Sequence, residues 1–222
     1  MLGVGGGMLN LTWQELLQVL PAVLVGLTIH ELAHAFIALK LGDDTPRRLG
    51  RITLNPLRHI DLVGFVLLVV AGFGWAKPVI INRNNLKHPF RDDVLIALAG
   101  PAANLLFATA LVLVLRLVVS FAGSASSAAF TVVLSTLFVF ISINVSLGLF
   151  NLLPIPPLDG SHFLGNLLSL KSAKVSAAYF RYGSLLLLAI IVVGRLLNRD
   201  ILPIGRAVNA VVMALLRLAG LA

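Results

Sequence analysis

From Leu117 to Leu158 the chain runs for 42 residues without one Asp, Glu, Lys or Arg. Water gives a stretch of that length nowhere to go, whereas a bilayer takes about 20 apolar residues per crossing. The run breaks once, at Ala122-Gly-Ser-Ala-Ser-Ser127, a small-residue turn, so its halves belong to two crossings. The rest of the chain agrees. It is 59% hydrophobic and 12% charged, with a mean hydropathy of +1.00. Soluble domains run about 45–50% apolar and about 25% charged. A soluble globular fold, a disordered chain, a collagen-like chain and a disulfide scaffold are therefore excluded. With no Cys there is no thiolate metal site and no cysteine nucleophile. The net charge of +8 reads as anionic lipid and orientation, not nucleic acid. The first residues, MLGVGGGMLNLTWQ, have no basic region and no small-residue cleavage site, so no signal peptide is expected.

Further uncharged stretches place the other crossings, since a central charge costs roughly 2.5–3.5 kcal/mol on insertion. Leu16–Leu39 holds one acid, Glu31; Val94–Leu115 is uncharged; Tyr182–Gly194 is a further apolar core. The expected fold is an all-α polytopic membrane protein. It has about five to six transmembrane helices, a re-entrant segment at 62–76 and a short β element on the cytosolic side. One membrane-embedded domain spans 1–222, with a catalytic core of about 10–165 and C-terminal helices over 175–222. The tail 201–222 either crosses or lies in the interface.

Nine Lys and Arg lie between Lys40 and Arg91, and none lie in 1–39 or in the 120–127 turn. The positive-inside rule puts 40–91 and the Lys171–Arg181 cluster in the cytosol, and the N-terminus outside. An outward crossing by 177–197 conflicts with that rule, because it carries Arg195 and Arg199 outside.

Ionisable groups inside a crossing are functional suspects. In helix one the run His30-Glu31-Leu32-Ala33-His34 is H-E-x-x-H. A spacing of four puts both imidazoles on one face, one turn apart, where they can share one metal ion. Glu31 stands beside the first ligand, where a general base is needed. Chance produces such a pattern in soluble chains, but in a membrane three polar side chains are too costly. A catalytic zinc site uses three protein ligands and one open position. Without Cys the third is expected to be a carboxylate. Asp43, Asp44, Asp61, Asp92, Asp93 and Asp200 sit beside basic residues and read as solvated. Asp159 stands alone after the 42-residue run, past the cytosolic end of helix 128–153, at the depth of His30 and His34. The competing reading makes it a turn residue before Gly160. Pro154-Ile-Pro-Pro157 cannot continue a helix. It unwinds the chain before Asp159 and exposes an edge for an extended peptide to pair with.

These residues together resemble the site-2 protease family, peptidase M50, of intramembrane zinc metalloproteases, in its short bacterial form without PDZ or CBS insertions. The resemblance rests on H-E-x-x-H at 30–34, N-x-x-P-x-P-x-L-D-G at 151–160 and Ala99-Gly-Pro-Ala-Ala-Asn104. Gly50-Arg-Ile-Thr-Leu-Asn-Pro56 and Gly72-Phe-Gly-Trp-Ala-Lys-Pro78 add to it. It covers roughly 10–165. It implies one Zn2+ per chain held by His30, His34 and Asp159, with Glu31 as catalytic acid/base and Asn151 as a substrate-positioning or oxyanion group. Substrates would be membrane-spanning proteins or peptides cut near the cytosolic face of the plasma (inner) membrane. Asn104 is a further candidate for the substrate-binding set, donating to the unwound segment or to a zinc ligand; a bond to a neighbouring helix is the alternative. His59 reads as an interfacial residue against a supporting role, and His162 as a structural or rim residue against ligation. Trp13 and Trp75 read as interface anchors. The alternative function is a metal-binding membrane transporter, which requires carboxylates along a path and does not require Glu31 beside His30.

Overall fold

A computed structural model describes residues 11–71, 74–122, 127–197 and 201–222. Helix α1 (Trp13–Lys40) opens on a capping box: the Glu15 N–H donates to Thr12 Oγ1, and the Thr12 N–H donates back to the Glu15 carboxylate. Short α2 (Thr45–Arg48) follows, then α3 (Leu62–Ala71), α4 (Pro89–Ala122), α5 (Ala128–Asn151), α6 (Gly160–Lys171), α7 (Ala173–Leu196) and α8 (Ile204–Leu218). Ser127 caps α5 by accepting from the Phe130 N–H.

Four helices, α1, α4, α5 and α7, are long and apolar enough to cross a bilayer. The sequence count of five to six is higher because it leaves room for a crossing, with the interface as the alternative, in the tail 201–222. Only 15 of its residues are helical, in α8, and these rise about 22 Å, short of the roughly 30 Å hydrocarbon core. The expected β element reduces to one antiparallel bridge, Ile60 with Ala76, among the described residues. That bridge and the bond from the Lys77 N–H to the His59 carbonyl bring the two ends of the α3 excursion together. The 123–126 part of the expected turn, Gly72, Phe73, Arg199 and Asp200 lie outside the described residues.

Helices α1, α4 and α5 pack against one another and carry the site. Their contact is close because small residues sit at the crossings. A Cβ on Gly26 of α1 would lie 2.7 Å from a Leu147 methyl and 3.2 Å from Asn144 Oδ1 of α5. Amphipathic α8 buries Val208, Val212 and Leu216 against Ala108, Val112, Ile141 and Val145, bracing α4 and α5 from the far side. After α5 the prolines break the helix, and Asp159 occupies the position before α6. Its side chain caps nothing there and is free to turn inward.

Two expectations about polar residues fail. Asp43, Asp92 and Asp93 are buried, not solvated, and His59 is 1% exposed, not interfacial. Asp92 accepts from the His88 N–H and from Arg91, and Asp93 from Arg83, His162 and Asn166. Asp43 accepts from Thr45 N–H and Oγ1, the Asn82 N–H and Asn85 Nδ2. Burial alone would raise its carboxyl pKa, but these four donors outweigh it and hold the carboxyl below its ordinary value. Asp43 thereby ties the end of α1 to the 82–85 turn.

Candidate metal centre and active site

His30 and His34 lie one turn apart on α1, both buried, with ring centroids 4.6 Å apart. Asp159 reaches them from the α5–α6 connection: its Oδ2 is 3.0 Å from His30 Nε2 and 3.5 Å from His34 Nε2. One ligand atom from each of the three falls within 4.8 Å of the other two. Residues 129 positions apart in the chain thus converge on one point, as the shared depth of the two motifs predicts.

The opposite ring nitrogens are fixed. His34 Nδ1 lies 2.7 Å from the Ile96 carbonyl, an acceptor only, so Nδ1 carries the hydrogen. His30 Nδ1 lies 2.7 Å from Asn104 Oδ1. The Asn104 orientation follows from its other bonds. Its Nδ2 donates to the Gly26 carbonyl and to Asn144 Oδ1, so its oxygen must face His30. Asn144 is itself held by a bond from its Nδ2 to the Phe140 carbonyl. Both imidazoles therefore turn Nε2 lone pairs toward Asp159. Asp159 Oδ2 is buried and has no hydrogen-bond donor. Two lone pairs and a carboxylate facing one another repel unless a cation lies between them. The wall beside them is shaped to leave room. A Cβ on Gly100 of α4 would lie 2.5 Å from His34 Nε2 and 2.7 Å from His30 Nε2. The donor set, the orphaned oxygen and the missing side chain all fit a bound divalent metal, and two nitrogens with one carboxylate suit zinc.

Glu31 is buried beside the ligands and its Oε2 accepts from the Val79 N–H at 3.0 Å. Glu31, His34 and Asp159 line a groove of about 290 Å³ together with Pro78, Val79, Ile81 and Pro157. His162 lies on its rim. Its Nδ1 is 3.0 Å from Asp93 Oδ2, and Arg83 grips the same carboxylate with two bonds of 2.9 and 2.7 Å. His162 is thus tied to Asp93 and stands apart from the ligand group. Asn104 is fully buried behind His30 and does not line the groove. Asn151 turns its Nδ2 back to the Leu147 carbonyl at 3.0 Å on its own helix and does not line the groove either. Sequence reasoning gave no role of their own to Gly100, Asn144, Arg51 and Val79. An Asn inside a 42-residue apolar run was a visible signal for Asn144. A main-chain donor such as that of Val79 leaves none.

Residues 116–193, which include the Asp159 motif, match Peptidase family M50. The chain is 46% identical over 146 residues, 65% of its length, to YwhC of Bacillus subtilis (strain 168). The chain belongs to peptidase family M50. It is also 30% identical over 179 residues to Rip2 of Mycolicibacterium smegmatis (strain ATCC 700084 / mc(2)155). Both relatives carry the name "putative zinc metalloprotease", and the chain spans about two thirds of their length, 66% of each. No solved structure matches it. Membership of M50 and four apolar helices make it a multi-pass membrane protein.

Proposed function

We propose that this chain is an intramembrane zinc metalloprotease that hydrolyses peptide bonds of membrane-spanning substrates. The observation that carries the reading is the convergence of His30, His34 and Asp159 beside a carboxylate, Glu31, that is not part of the ligand group. Zinc held by the three ligands would supply Lewis acidity, activating water and polarising the scissile carbonyl. The chain's own residues do the rest. Glu31 accepts the proton of the attacking water and delivers it to the leaving amine. Gly100 and the ring-orienting acceptors, Asn104 Oδ1 and the Ile96 carbonyl, keep the ligands in place. Asn104 acts here through His30, as a support of the metal centre. Asn151 keeps one amide N–H and its Oδ1 free of the Leu147 bond, and it serves the substrate only if its side chain swings into the groove, which it does not line.

The substrate enters as an extended strand between the 78–81 segment and Pro157, because a helix hides its peptide bonds. We further infer that the N-terminus faces outward, that the site opens to the cytosol and that the α3 excursion enters and leaves on the cytosolic side. The basic residues of 40–91 and the paired ends of that excursion support this. The host membrane is then the plasma (inner) membrane, and the whole chain forms one membrane-embedded protease unit. A transporter would line a path with carboxylates, whereas the described residues hold one His–His–Asp group.

The test is Glu31→Gln in the purified full chain, with zinc content and cleavage of a single-span peptide both measured. Zinc should stay stoichiometric while cleavage falls by at least about 10²-fold, the lower range for loss of a general base. A variant that cleaves at the wild-type rate removes Glu31 from the chemistry.

A further inference from the structure

Arg51 has no part in the chemistry above, yet it is 5% exposed. It comes from the Gly50–Pro56 loop, and its Nε has no acceptor. Burying a guanidinium is costly unless a carboxylate offsets it. The carboxylate paired with Arg51 is that of Glu31, with Arg51 Nη2 3.8 Å from Glu31 Oε2 and both side chains almost wholly buried. Nη2 also donates to the Lys77 carbonyl. Two residues further on, the Val79 N–H donates to the same Oε2. Oε2 is therefore flanked by a main-chain donor and a cation. Both come from the segments that fold over the end of α1. Among the described residues no donor reaches Oε1, and Glu31 lines the groove. His59 anchors the same loop: its Nε2 donates to the Thr53 carbonyl at 2.9 Å, three residues before Pro56.

We propose that Arg51 is a positioning residue for Glu31. It holds Oε2 against the protein wall and leaves Oε1 facing the groove, where water and substrate meet. This rests on the protease reading, but the pairing itself is tested apart from catalysis. The loop's two polar anchors then have a purpose that solvent-facing residues would not need. A neutral side chain in place of Arg51 frees the carboxylate to rotate, and small misplacements of reacting groups cost about 10²-fold in rate.

The experiment compares Arg51→Met and Arg51→Lys in the full-length chain, with and without Glu31→Gln. Zinc content, thermal unfolding of the metal-free chain, and kcat and KM on a single-span fluorogenic peptide are measured. Arg51→Met should keep its zinc and its KM, lose about 10²-fold in kcat, and recover most of that as Arg51→Lys. Its Tm should fall, on the order of 2–4 °C, and fall less when Glu31 is already Gln. An equal Tm loss in both backgrounds, or a raised KM at unchanged kcat, overturns the proposal. Should Arg51→Met fail to fold, Arg51→Gln takes its place with the same expected results, since it keeps a donor for the Lys77 carbonyl. If Glu31→Gln is itself fully active, the protease reading fails, and the Tm cycle still reports whether the two side chains are coupled.

Discussion

Gly100 shows how a residue without a side chain can decide a metal site. Its missing Cβ is the space beside both Nε2 atoms, 2.5 and 2.7 Å from where that carbon would be. Two effects of Gly100→Ala oppose each other. Alanine favours the middle of a helix over glycine by roughly 1 kcal/mol, so α4 itself gains. The added methyl must push His30 and His34 off the shared point, and disturbing the support of a ligand typically costs 10–100-fold in metal affinity. The expected result is a folded chain that binds zinc at least about tenfold more weakly, read by competition with a chromogenic chelator. Wild-type affinity in Gly100→Ala would mean that the metal does not sit where the three ligand atoms converge. His30, Glu31, His34 and Asp159 were legible as candidates in the sequence because charge and imidazole are conspicuous in an apolar run. Gly100 was visible only as part of Ala99-Gly-Pro101, since a missing atom matters only relative to its neighbours. The same holds for Asn104. Its polarity was plain, but its partners Gly26 and Asn144 are 78 and 40 residues away.

At the scale of elements, the long helices were legible and the loops were not. Uncharged length fixes a crossing almost alone, which is why α1, α4, α5 and α7 fall where the hydropathy puts them. Composition cannot say which loop closes over which charge. Asp43 and Asp93 therefore read as solvated and His59 as interfacial; with Arg51 they are instead the pins that hold the 50–85 connection over the end of α1. His59 makes this testable by pH. Burial first, and the nearby Arg51 charge after it, hold its imidazole below the ordinary value of 6.5, against the opposing pull of the Thr53 carbonyl. The folded chain therefore takes up this proton less readily than the unfolded chain. Stability from His59 is complete above pH 6.5 and is lost as pH falls from there through the lowered folded value. His59→Gln keeps a donor for the Thr53 carbonyl but cannot titrate. The drop in Tm between pH 7 and pH 5 should be smaller in His59→Gln than in the wild type; an equal drop would assign the acid sensitivity to other groups.

The whole molecule poses the question of which side of the membrane the site serves. His30 and His34 lie in the second half of α1, Gly100 in the first half of α4 and Asp159 just beyond α5. Three helices of alternating direction therefore bring their chemistry to one end. The residues flanking that end, 40–91, hold nine of the 17 Lys and Arg. An excess of Lys and Arg in short loops biases those loops to the cytosol, so this end should face the cytosol. The natural chain has no Cys, so single cysteines report their side of the membrane without background. Arg47, Ala128 and Lys174 are all exposed and can be replaced with little effect on the fold. In intact cells a membrane-impermeant maleimide should label Ala128→Cys, at the start of α5. It should leave Arg47→Cys and Lys174→Cys unlabelled until the membrane is permeabilised. The Lys174 position also bears on the conflict over α7, because it fixes the side from which that helix starts. Labelling of Arg47→Cys in intact cells would turn the molecule over and place proteolysis on the outer face. The basic loops would then have crossed against the charge rule.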